Sequence, residues 1–145
     1  MHTCAVLIAL LRAARLIHHT AHHLTHGPSF YADHALFGDL YTALDEEIDT
    51  LTEKAVYMGA DIDAADLAAR AAELTAKLSP QGAPTHATAL ATRSMNAELA
   101  IQDGISAARQ TLQEQGRLSL GLDNFLAQLA DDHETALYKL RQRLA

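Results

Sequence analysis

The 145-residue chain has no tryptophan, one cysteine and three prolines, and only 5% of its residues are aromatic. A lone cysteine, Cys4, excludes an intrachain disulfide and suits a reducing compartment, so the expected location is cytoplasmic. No segment alternates with period two for long enough to make a strand, and none is expected. Positive charge is also scarce: 11 Lys plus Arg stand against 18 Asp plus Glu, a formal charge of −7 with histidine neutral. An acidic chain gains little from the counterion release that drives nucleic-acid affinity. Lys139, Arg141 and Arg143 read as a solvated helix end that suits the helix dipole. The apolar run from Cys4 to Leu11 is too short to cross a bilayer, lacks a basic n-region and is followed by Arg12 and Arg15. It reads as the buried start of a helix.

What the chain does have is Ala and Leu in abundance with Glu, Arg and Gln among the polar positions, the composition of packed helices. Its length suits one domain, residues 1–145. Apolar residues from Val6 to Leu24 recur at helical spacing until the Gly27-Pro28 break. Ser29 to Asp33 offer capping chemistry for a second helix, about Tyr31 to Met58. That helix carries Leu36, Leu40, Leu44, Ile48, Leu51 and Ala55 on one face, with Gly59 closing it. Asp61 or Asp63 can cap a shorter helix from Ala64 to Leu78. A loop rich in proline and glycine (79–84) follows. Two further helices are expected, about His86 to Gln115 and about Leu120 or Leu122 to Leu144. The fold class is therefore all-α: an up-and-down four-helix bundle with a short extra helix between the second and third long ones.

Nine histidines are present, and six fall between His18 and His34. His18, His19, His22, His23 and His26 can be read simply as a polar helix face. Further on, Asp49 and Glu53 are four apart, one above the other on a helix, where like charges repel unless a cation lies between them. Imidazole and carboxylate together suit iron and its first-row neighbours. His34 and Asp49 are fifteen residues apart, roughly 22 Å along a continuous helix. One chain cannot easily wrap His22, His34, Asp49 and Glu53 around one metal, so a site made of them needs two chains.

The stretch from His22 through Gly27, Pro28 and Phe30 to His34 resembles the signature of the Dps family, the mini-ferritins. In that family a ligand histidine ends the first helix, a Gly-Pro-x-Phe turn follows, and a second ligand histidine comes twelve residues after the first. Asp49 and Glu53, in the segment running to Ala55, match the family's D-x-x-x-E-R-A, and the run from His133 to Tyr138 resembles its H-E-K-x-x-W. The resemblance implies a ferritin-like bundle and a ferroxidase with iron (Fe2+/Fe3+) as its metal. It places a dinuclear site, His22 and His34 from one subunit with Asp49 and Glu53 from the next, at twofold interfaces. In an isologous pair the axis would pass near Tyr41, Thr42 or Ala43. It further implies a dodecameric shell in which ferrous iron, oxidised by hydrogen peroxide or more slowly by O2, is stored as ferric oxide, giving protection under oxidative stress. Asp45 and Glu46 are candidates to nucleate mineral, and Asp123 to line a threefold pore.

Two departures from the family pattern stand out. His23 occupies the position where the family usually keeps Trp, leaving room for an extra imidazole near the metal. No lysine-rich arm precedes the first helix, so DNA binding is expected to be weak or absent. A DNA-compacting protein with secondary iron chemistry is the alternative reading. A partner-binding bundle with a vestigial site is another. An intrachain diiron enzyme would need Glu-x-x-His pairs, and the sequence has none: Glu134 follows His133.

Overall fold

The computed structural model describes residues 3–145. Five helices follow one another: α1 (Thr3–Leu24), α2 (Phe30–Tyr57), α3 (Ala64–Leu78), α4 (Ala87–Glu114) and α5 (Leu120–Leu144), with no strand among the described residues. The expected boundaries hold to within one to three residues. α1 begins at Thr3 rather than Val6, and His86 caps α4 from outside, its Nδ1 accepting from the Ala89 amide. Asp63 is the cap of α3, its side chain accepting from the Asp66 amide at 2.8 Å. Ser119 does the same for α5. Each cap satisfies an amide that the helix itself cannot.

The turn between α1 and α2 departs from the capping expectation. Ser29 stands at the N-cap position but makes no side-chain cap; its hydroxyl donates to Asp33 Oδ2 instead (2.8 Å). Asp33 is fully buried and takes a two-pronged ion pair from Arg143 at the far end of the chain, at 2.5 and 2.9 Å. Burial alone would raise the Asp33 pKa, but hydrogen bonds from Arg143 and Ser29 outweigh it and hold the carboxyl below its usual range. Arg143 is thus no solvated helix-end charge. It ties the last turn of α5 to the first turn of α2. Gly27 turns the chain with φ +79°, a conformation open to glycine and strained for other residues.

α1 packs on α2, α4 and α3, and α4 packs on α5, while the backbones of α2 and α5 stay further apart. α1 is long and apolar enough to cross a membrane, yet 67% of that apolar window is buried against its neighbours. The core falls into two apolar lobes. The larger includes Leu7, Ile8, Leu11, Leu44, Leu51, Ile101, Leu126 and Leu129. The smaller gathers Ala21, Phe37, Leu40, Leu90, Ala91, Ala136 and Leu140.

Between the lobes runs a polar layer to which each long helix contributes, α4 with two members. His18 of α1 donates from Nε2 to Glu98 Oε1 of α4 (2.7 Å), leaving Nδ1 to meet the Ser94 hydroxyl at 3.0 Å. His133 of α5 donates from Nδ1 to Glu98 Oε2 (2.5 Å) and from Nε2 to Glu47 Oε2 of α2 (3.1 Å). Glu47, Glu98 and His133 also line a cleft of about 240 Å³ where α2 and α5 separate.

Candidate metal centre

α1 and α2 run side by side, and this brings the two predicted ligand histidines together across the Gly27-Pro28 turn. The rings of His22 and His34 stack with centroids 3.7 Å apart and planes 24° from parallel. Each is held by the other's backbone. His22 Nδ1 donates to the His34 carbonyl (2.8 Å), and His34 Nδ1 donates to the His22 carbonyl (2.9 Å). A carbonyl only accepts, so both Nδ1 atoms carry the proton and both Nε2 atoms keep a lone pair. That is the arrangement by which outer hydrogen bonds fix the tautomer and orientation of a metal-ligating imidazole. The two residues are half-buried, which limits ring motion while leaving an approach from solvent.

Gly38 makes room for this pair. A Cβ there would lie 3.3 Å from both Cε1 and Nδ1 of His22, so the ring packs over bare helix backbone. Phe30 stacks on the other neighbour, its ring 5.0 Å from that of His34. Sequence reasoning passed over Gly38, although a lone glycine inside a helical pattern is itself a signal of close packing.

The carboxylates stand elsewhere. Asp49 and Glu53 lie on the continuous α2, fifteen and nineteen residues beyond His34, roughly 22 and 28 Å along the axis. Both are exposed, and among the described residues neither has a hydrogen-bond or ion-pair partner through its side chain. Among those residues no three His, Cys, Asp or Glu side chains of the one chain converge as a metal site. The structure therefore joins His22 to His34 and keeps both apart from Asp49 and Glu53.

The remaining acids and histidines divide sharply. Asp45 takes both prongs of Arg15, whose guanidinium also lies 5.6 Å from the Tyr41 ring centre. The Arg15 hydrogen bonds hold the Asp45 carboxyl below its usual pKa range. Asp123, the pore candidate, is paired within its own chain to Arg109 at 2.7 and 3.2 Å. His18 is no part of a polar helix face, for it is fully buried. His133 and Glu98 form an ionic core. Burial works against the charge on both, yet the hydrogen bonds that His133 donates to Glu47 and Glu98 push it up to about 10, and those from His133 and His18 hold Glu98 at about 2. All four imidazole nitrogens of the layer already face carboxylate or hydroxyl oxygens, so it ties helices together and presents no open ligand set.

Solved structures match this arrangement of helices over nearly the whole chain. The Dps protein of Thermosynechococcus elongatus superposes with a TM-score of 0.81 at 20% identity, covering 99% of this chain and 90% of that one. The fold is that of the Dps proteins. The Dps protein of Vibrio cholerae O1, described as a member of a broad superfamily of ferritin-like diiron-carboxylate proteins, gives 0.82 at 16% identity, with 99% and 87% covered. No family model and no curated protein matches the sequence. The five helices here are thus the Dps four-helix bundle with α3 as the short helix between its second and third members, as the sequence pattern and the resemblance implied.

Proposed function

We propose that this protein is a ferroxidase and iron store of the Dps type, with its reaction centre shared between two subunits. The observation that carries the reading is the reciprocal latch of His22 and His34, which presents two neutral Nε2 lone pairs side by side. Asp49 and Glu53, adjacent like charges with no cation of their own among the described residues, supply the complementary half. A twofold axis near Tyr41 would bring the second half of one subunit's α2 against the first half of its partner's. The separation of about 22 Å along α2 then becomes the reason for the dimer.

Ferrous iron is the substrate. The carboxylates neutralise its charge and the imidazoles hold it in place with positions left open. Two ferrous ions give one electron each to hydrogen peroxide, which takes up two protons and leaves as two waters. Dioxygen is the slower oxidant. The ferric product is held as oxide inside a shell, of twelve subunits in this reading. DNA compaction is not favoured: the net charge is −7, and two of the basic residues, Arg15 and Arg143, are engaged with Asp45 and Asp33.

Ferric absorbance after mixing ferrous ions with peroxide, or with O2, tests the reaction, and native mass tests the assembly. Wild type should oxidise iron rapidly as a large oligomer, and His34→Ala with Asp49→Ala should reduce the rate to background. A monomer oxidising iron at the wild-type rate would sink the shared site.

A further inference from the structure

Five histidines lie at or just beyond the C-terminal half of α1, and the structure separates them by what their nitrogens do. His18 uses both, on Glu98 and Ser94. His22 commits Nδ1 to the His34 carbonyl, and His26 commits Nδ1 to the Leu24 carbonyl at 2.9 Å. Only His19 and His23 make no hydrogen bond through either ring nitrogen among the described residues. They are four apart on one helix, with ring centroids 4.5 Å apart and planes at 59°. His23 is exposed and His19 half-buried, its ring also 4.5 Å from that of Tyr41.

We propose that His19 and His23 form a second divalent-cation site, next to the site shared between subunits but with ligands of its own, that chelates a borderline transition metal of the zinc, nickel or copper class. Two histidines at i and i+4 on a helix stand one above the other, and this is the spacing by which helical His pairs grip zinc. Metal–nitrogen bonds of about 2.0–2.1 Å fit between two rings so placed, with water completing the coordination. Imidazole without carboxylate selects these metals over magnesium or calcium. The Tyr41 ring packs against that of His19, limiting its rotamers and so the entropy lost on chelation.

The pair also continues the latch. His23 lies 5.3 Å from His22, ring centre to ring centre, and His22 stacks on His34 at 3.7 Å. Four imidazoles thus form one file from the surface of α1 to the start of α2. A cation held at its outer end sits one ring away from His22.

Calorimetric titration of the intact protein with Ni2+ at neutral pH tests the proposal. Three proteins are compared: wild type, His19→Gln or His23→Gln, and the double variant Asp49→Asn with Glu53→Gln. The expected result is a Ni2+ site retained in the Asp49/Glu53 variant. In each single histidine variant it weakens by roughly tenfold or more, at least what removal of an outer-shell partner costs. Circular dichroism establishes that the variants keep their helices. If one variant fails to fold, the other His→Gln change gives the same readout. Unchanged Ni2+ affinity in both histidine variants overturns the proposal, as does loss of the site on changing Asp49 and Glu53 alone. Failure of the shared ferroxidase reading would appear instead as unchanged iron oxidation in that double variant, a separate measurement.

Discussion

A missing side chain at position 38 lets an imidazole lie flat on α2. In Gly38→Ala the new methyl would meet His22 at 3.3 Å, forcing the ring to give by a few tenths of an ångström. Alanine also favours the helix by about 1 kcal/mol over glycine. Stability and site function should therefore move in opposite directions. The melting temperature holds or rises, while iron oxidation falls severalfold as the His22 Nδ1 bond to the His34 carbonyl lengthens. Thermal unfolding and oxidation rates on the same sample check this, and equal loss of both would refute it.

His133 gives a second test at the residue scale. Its folded pKa, about 10, lies above the ordinary 6.5. The stability it contributes is fully present below about pH 6.5 and drains away as pH rises toward 10. Glu98 acts in the opposite sense. Held at about 2 against an ordinary 4.5, it contributes above pH 4.5 and loses that contribution as acid approaches 2. The difference in melting temperature between wild type and His133→Gln should shrink steadily from pH 6.5 to 10. A difference independent of pH would mean that the layer acts through shape alone.

Among the elements, α2 and α5 meet through side chains: Phe37 and Leu40 share the smaller apolar lobe with Ala136 and Leu140, and polar ties join Glu47 to His133 and Asp33 to Arg143. Arg143→Ala would leave a fully buried carboxylate without its cation, which typically costs about 3 kcal/mol or more. For a chain of this size that corresponds to a fall of roughly 10 °C in melting temperature. Asp33→Asn with Arg143→Leu, removing both charges, should recover part of the loss, and calorimetry on the three proteins decides it. The helices themselves were legible in the sequence because 3.6-residue periodicity, Gly-Pro punctuation and capping residues are local signals. The ties were not. Glu98 and His133 are 35 residues apart, and Asp33 and Arg143 are 110 apart, so no spacing rule reaches them. At the site, His22 and His34 were legible through their order around the turn. The hydrogen bonds that fix their tautomer run to backbone carbonyls, which side-chain identities do not reveal.

For the whole molecule, a shared centre has an arithmetic consequence. Mixing subunits that lack both histidines with subunits that lack both carboxylates creates hybrid pairs. In each hybrid one site is intact and the other lacks all four groups. Random reassembly of equal amounts makes half the pairs hybrid, so about a quarter of wild-type sites return. Ferrous oxidation should rise from background to about that level on unfolding and refolding the two variants together, and stay at background when each is refolded alone. No recovery in the mixture, with oligomers re-formed, would exclude sharing.

The paired bonds across the Gly27-Pro28 turn make the hairpin its own jig. Each imidazole of one helix is fastened to a carbonyl of the other, so both rings take up their places as the two helices close on each other. The bonds use only Nδ1 and leave Nε2 of both rings uncommitted. The orientation of the pair is therefore set by the folding of a single chain, with no partner subunit needed to align it.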